Sequence, residues 1–220
     1  MAVQRFFESP ASRLLFFTLG NDMLIISAPS VDKGMIGGNN PMDKTITVNK
    51  KEYAVIKLLG KGKGGYSYLV SADGRQYVLK QIHHEPCDYY QFGNKLASEI
   101  ADYKKLCTIG IPMPRLIDVD MENERLLKEY IHGDTVFEMV LNDTISPMCT
   151  GQVKNMCALL YAANTNIDYF PTNFVLQGDI LYYIDYECND YTDQWNYENW
   201  GVKYWSKTPE FMQYVNEYNK

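Results

Sequence analysis

The stretch Gly60–Ile82, GKGKGGYSYLVSADGRQYVLKQI, sets a glycine-rich segment ahead of two apolar runs separated by a turn. Tyr66–Ser71 and Gln76–His83 are rich in β-branched and aromatic residues, and Ala72-Asp73-Gly74-Arg75 between them suits a hairpin turn. With Lys51–Leu59 upstream, the pattern predicts a three-stranded antiparallel meander. Gly60, Gly62, Gly64 and Gly65 carry no Cβ, which fits a tight turn and equally lets a phosphate approach backbone N–H groups. The same G-x-G-x-x-G spacing opens the helix of dinucleotide-binding folds, but here Tyr66-Ser67-Tyr68-Leu69-Val70 continues as a strand. An oxidoreductase of that type is therefore disfavoured.

Lys80 alternates with Val78 and Ile82 and so shares their face of the predicted strand. A lysine on an apolar face calls for an anionic partner unless the strand lies at a sheet edge. The next segment supplies a carboxylate. Phe92–Thr108 is predicted helical, with Leu96, Ile100, Tyr103 and Cys107 at helical spacing and a stop at Gly110 before Pro112 and Pro114. Glu99 falls within that apolar stripe, and an inward carboxylate requires a cation, so Lys80 and Glu99 are expected to form an ion pair.

Downstream, Arg115–Asp120 and Arg125–Ile131 predict a second hairpin, and a helix is expected over Gln152–Ala163. It leads to Asp168-Tyr169-Phe170-Pro171-Thr172-Asn173. Phe174–Leu176 and Leu181–Ile184 read as short strands that deliver Asp185 at a strand end, followed by Tyr186 and Glu187. Phosphoryl transfer needs backbone donors and cations around the phosphates, oxygen ligands for a divalent metal, and a group that orients the acceptor hydroxyl. Asp168 suits the last role, and Asn173 with Asp185 suits the metal. Asp, Pro and Asn also favour an ordinary helix-to-strand turn. His83, His84 and His132 share no metal-ligand spacing. The series Tyr191, Trp195, Tyr197, Trp200, Tyr204, Trp205 is expected to be core, and Thr208-Pro209 to cap a helix.

The chain has 220 residues, with 21 basic and 27 acidic side chains and a net charge of −6, and no basic run able to track nucleic acid. Its five cysteines include no C-x-x-C pair, which disfavours a zinc site or a disulfide framework and fits a reducing, cytoplasmic setting. Leu14–Ala28 is apolar but interrupted by Gly20-Asn21-Asp22. It reads as a β-hairpin within an N-terminal extension of residues 1–45, not as a leader or a membrane span. Val31–Pro41 is rich in turn formers and reads as a linker.

In order and spacing, the glycine loop, Val78-Leu79-Lys80, the helical Glu99, Glu129-Tyr130-Ile131, Asp168 with Asn173, and Asp185 resemble the protein-kinase-like superfamily. The resemblance covers roughly residues 50–190, and is closest to small atypical members such as RIO-type kinases and the aminoglycoside and choline phosphotransferases. It implies an α+β, two-lobed protein-kinase-like fold: an antiparallel-sheet N-lobe over 46–131 and a reduced C-lobe over 132–220. By the same resemblance Gly60 to Gly65 would cover the phosphates of ATP, and Lys80, paired with Glu99, would contact them. Glu129 and Ile131 would approach the adenine through backbone groups, Asp168 would be the catalytic aspartate, and Asn173 and Asp185 would hold Mg2+. The implied partners are a nucleotide and a hydroxyl acceptor, protein or small molecule. Four positions depart from the pattern. Asn166 stands where His is usual, Tyr186-Glu187 replaces Phe-Gly, and Lys128 occupies a usually apolar position. These departures keep a non-catalytic nucleotide-binding or scaffold protein as the alternative.

Overall fold

A computed structural model describes residues 44–62, 64–85 and 93–218. The expected N-terminal hairpin and linker, and Cys87, lie outside them. Six antiparallel strands form one sheet: β1 (Thr45–Val48), β2 (Lys51–Lys61), β3 (Gly65–Ala72), β4 (Arg75–Ile82), β5 (Leu116–Asp120) and β6 (Arg125–Glu129). Their order is β1-β2-β3-β4-β6-β5, which makes β4 an inner strand.

The sheet is curled, and the cause is local. Asn49 and Lys50 turn between β1 and β2 with φ of 45° and 72°, the paired left-handed conformation of a two-residue hairpin loop. From that turn Asn49 Nδ2 donates to Asp118 Oδ1 and to the Val119 carbonyl, both at 2.9 Å, and its backbone N–H donates to Asp120 Oδ2 at 3.1 Å. Arg125 adds a bond to the Thr47 carbonyl. These contacts draw edge strands β1 and β5 together around Val48, Tyr53, Val70, Leu79 and Leu127. The opposite face carries Ile82 and Leu126, which pack on Leu96 of helix α1 (Lys95–Ile109).

Helix α1 starts three residues later than Phe92. Asn94 caps it, its side chain accepting from the Ala97 N–H at 2.9 Å. It ends at Gly110, whose φ of 91° closes the last turn onto the Leu106 and Cys107 carbonyls.

The remainder comprises α2 (Val136–Leu141), α3 (Pro147–Ala162), β7 (Thr165–Ile167), β8 (Phe174–Gln177), β9 (Ile180–Tyr183), β10 (Cys188–Asp190) and α4 (Pro209–Tyr218), around one large core. The class is α+β, as expected. Four elements escape the sequence reading: β1, the six-residue α2, and the three-residue strands β7 and β10. Helix α3 also starts earlier than Gln152, because Ser146 caps it and Pro147 occupies its first turn. Thr208 caps α4, its hydroxyl accepting from the Phe211 N–H at 3.1 Å.

Aromatics dominate the larger core. Tyr197, Trp200, Tyr204 and Trp205 are buried, so most of the aromatic series packs inward as expected. Gly201 is required among them, since a Cβ there would lie 2.6 Å from that of Tyr169. Burial raises the phenol pKa of Tyr169, Tyr183 and Tyr186, and pushes that of Tyr197 up to about 12. Each folded pKa lies above the unfolded value of about 10, so the stability these groups contribute is complete below that pH and is lost as pH rises further. The melting temperature is expected to hold across neutral pH and fall above about pH 10, with the absorbance of these tyrosinates appearing only as the chain unfolds. A melting temperature unchanged at strongly alkaline pH would contradict the assignment.

Candidate functional site

Lys80 leaves inner strand β4 on the face that bears Val78 and Ile82. Its Nζ lies 2.8 Å from Glu99 Oε2 and 3.8 Å from Asp185 Oδ1. Both ends of the first pair are largely buried, with 16% and 10% of the side chains exposed. Desolvation alone pulls the Lys80 amine down, but the charges of Glu99 and Asp185 and the bond to Glu99 outweigh it, and the net shift is upward. Lys80 is therefore charged at any working pH. Glu99 Oε1 is buried without a hydrogen-bond partner, so half of this carboxylate's accepting capacity is unmet inside the site.

The glycine loop lies above Lys80 through Gly64, where a Cβ would come 3.9 Å from Lys80 Cε. The reasons for its glycines differ. At Gly65 a Cβ would fall 2.3 Å from the Gln81 carbonyl oxygen, so close packing on β4 excludes any side chain. Gly62 and Gly65 exchange backbone bonds, at 2.9 and 3.4 Å, and close a tight turn in which their N–H groups are already engaged. Gly60 pairs with Ser67 inside the β2–β3 ladder, beside a bulge. His83 Nε2 bonds the Gly62 carbonyl at 3.0 Å, holding the turn against the end of β4.

The short β7–β10 pair assembles the second half of the site. Ile167 pairs with Cys188, so the chain leaves β7 at Asp168 beside the point where Asp185-Tyr186-Glu187 enters β10. Asp168 Oδ1 accepts from the Phe170 N–H at 3.1 Å, and Asn173 Nδ2 donates to the Asp168 carbonyl at 3.2 Å. The Asn173 carbonyl accepts from the Ile184 N–H at 2.9 Å, which ties this loop to the residue preceding Asp185. Trp205 Nε1 donates to the Tyr169 carbonyl at 2.8 Å and anchors the loop in the aromatic core. Asp168 and Asn173 on one loop and Asp185 on the next thus stand on two segments bonded to each other.

Ile131 is buried and Glu129 is not. The Glu129 carboxylate turns aside to Arg115, with Oε2 3.1 Å from Nε, and its N–H is used by the Arg115 carbonyl at 2.9 Å. Asn166 is buried in β7 and donates to the Thr192 carbonyl at 2.9 Å. Two contributors were noticed in the sequence only as departures. Lys128, 5% exposed, donates to the Ile184 carbonyl at 2.8 Å. Tyr186 is fully buried, and its hydroxyl donates to the Pro114 carbonyl at 2.7 Å. A lysine and a tyrosine at apolar positions were the available signal.

Among the described residues no group of three or more His, Cys, Asp or Glu side chains could by itself hold a metal ion. The donor chemistry still suits magnesium, which takes one or two protein oxygens and fills its shell with phosphate and water. Asp185 offers carboxylate oxygen. The bond from Asn173 Nδ2 to the Asp168 carbonyl occupies the amide nitrogen, so the amide oxygen is the end that could ligate a metal. Comparison with protein-family models and with curated proteins gives no match. Among the described residues, no helix is long and apolar enough to cross a membrane.

Removing one partner of a buried pair strands the other charge, at a cost of about 3–5 kcal/mol. Lys80→Met and Glu99→Leu are each expected to destabilise the fold on that scale in urea titrations, and the double variant to lose clearly less than their sum. Strict additivity would remove the pairing.

Proposed function

We propose that the protein is an ATP- and magnesium-dependent phosphotransferase of two-lobed, protein-kinase-like fold, passing the γ-phosphoryl group to a hydroxyl of a protein or small molecule. The observation that carries the reading is that the pairing of β7 with β10 and the bond from the Ile184 N–H to the Asn173 carbonyl join the Asp168 loop to the linker whose Asp185 carboxylate lies 3.8 Å from the buried, Glu99-paired Lys80. Phosphoryl transfer asks mainly for positioning and charge stabilisation, and these residues supply both. Lys80, kept protonated by Glu99, would contact the phosphates, and Gly64 lies where a phosphate over Lys80 would meet the backbone. Asn173 and Asp185 would hold magnesium, which supplies charge neutralisation at the phosphates when bound. Asp168 would accept a hydrogen bond from the acceptor hydroxyl and take its proton. Glu129 and Ile131 would border the base, with the Glu129 side chain turned away toward Arg115.

A nucleotide-binding protein without turnover is the competing reading. It is favoured by the Gly62 and Gly65 amides, which serve their own turn, and by Asn166 in place of His. Ligand binding and transfer separate the two. ATP with magnesium at about 100 times the dissociation constant is expected to stabilise the fold by roughly 2.7 kcal/mol, and either alone by less. No upward melting shift at millimolar concentrations would count against a nucleotide site. Asp168→Asn keeps the shape of the side chain but not its basicity. It is expected to leave nucleotide affinity nearly unchanged while transfer falls about 10²- to 10⁴-fold. Full activity in that variant would refute the role of Asp168, and wild-type binding without transfer to any acceptor or water would select the competing reading.

A further inference from the structure

One buried titratable group has no part in this chemistry. Lys128 on β6 pairs across the ladder with Val78 on β4, so it leaves the sheet on the same face as Val78 and Lys80, one diagonal step away. Its ammonium reaches the linker between β9 and β10. It donates to the Ile184 carbonyl at 2.8 Å and lies 4.4 Å from the centroid of the Tyr186 ring. These two contacts flank Asp185 on either side in sequence.

The same linker is held from other directions. The Ile184 N–H donates to the Asn173 carbonyl, the Tyr186 hydroxyl to Pro114, the Tyr183 hydroxyl to the Glu187 carbonyl at 2.8 Å, and the Tyr103 ring packs 4.6 Å from that of Tyr186. Asp185 itself accepts from the Tyr186 N–H at 2.8 Å and lies 3.8 Å from Lys80, and Lys128 brings a second cation to the linker, bound to its backbone instead of its carboxylate. Burying an ammonium is costly, and burial followed by the repulsion of Lys80 lowers the Lys128 pKa against the opposing pull of Glu99 and Asp185. A methionine of similar length would pack there without that cost, so the lysine needs a reason beyond filling space.

We propose that Lys128 is a positioning residue: it clamps the Ile184 carbonyl and the Tyr186 ring, fixing Asp185 in the orientation that receives a metal–nucleotide complex. The clamp itself stands on the contacts above. Its bearing on metal rests on the proposed nucleotide site.

Charge and geometry predict opposite signs for its removal. Lys128→Met deletes a positive charge near Asp185, and by electrostatics alone magnesium should bind more tightly. If the clamp dominates, Asp185 loses its orientation and magnesium binds more weakly. Loss of a residue that orients a metal ligand typically weakens metal affinity by about 10- to 100-fold. Two measurements on the same variant decide this. In amide hydrogen exchange without ligand, Lys128→Met is expected to speed exchange at Ile184–Glu187 while β7 and β8 stay protected. In nucleotide titrations, affinity for ATP without magnesium is expected to change little, and the gain in affinity conferred by saturating magnesium to fall about tenfold or more.

Unchanged exchange together with an equal or larger magnesium gain would overturn the clamp. If wild type shows no magnesium-dependent nucleotide binding, the nucleotide reading fails, and the exchange comparison still decides the clamp alone. Should Lys128→Met not fold, Lys128→Leu provides the same comparison: faster exchange at Ile184–Glu187 than in wild type is expected, and unchanged exchange would refute the proposal.

Discussion

The structure depends above all on the burial of one ammonium, that of Lys80. An inner strand cannot send a lysine to solvent from this face, and a buried cation costs several kcal/mol unless carboxylates surround it. The two that do so come from different parts of the chain: Glu99 from α1, and Asp185 from the linker between β9 and β10. Satisfying one charge therefore fixes the helix against the sheet and the linker against both. Lys128, from the neighbouring strand, adds a second inward cation and holds that linker by its backbone.

Support for this arrangement comes from the aromatic core below it. Trp205 bonds the Tyr169 carbonyl, Gly201 lets the chain approach the Tyr169 side chain, and Tyr186 is anchored to Pro114. The loops bearing Asp168 and Asp185 are thus held by large, buried side chains on one side and by β7–β10 pairing on the other. Residues placed this firmly suit chemistry that relies on pre-set positions more than on covalent steps.

Much of this was legible in the sequence, and the omissions share a cause. The meander β2–β4, helix α1 and the strands flanking Asp185 carry clear periodicity and turn residues, and the inward Glu99 announced itself by breaking an apolar stripe. β7 and β10 have three residues each, too few for a period to register, and they exist because Ile167 and Asn166 pair with Cys188 and Asn189 across a long separation. α2 was missed because its six residues depend on a capping box, in which Thr135 and Glu138 bond each other's backbone, more than on amphipathic repetition. The start of α3 was hidden because Pro147 reads as a breaker until Ser146 is recognised as its cap. The glycine loop gave the right location but an incomplete reason, since Gly65 answers to packing on Gln81. Lys128 and Tyr186 carry no periodic signal because what places them, the Ile184 and Pro114 carbonyls at their ends, lies 56 and 72 residues away in the chain.

The central claim, that Asp168, Asn173 and Asp185 together with Lys80 surround a metal–nucleotide complex, is tested most directly by replacing magnesium with paramagnetic manganese. A non-hydrolysable ATP analogue with Mn2+ is added to isotopically labelled protein, and the loss of amide signals is followed by NMR. Selective broadening of Gly64, of residues 168–173 and of residues 184–187, with α2 and α4 unaffected, is the expected result. Broadening centred elsewhere, or none at concentrations where the nucleotide saturates, would contradict it.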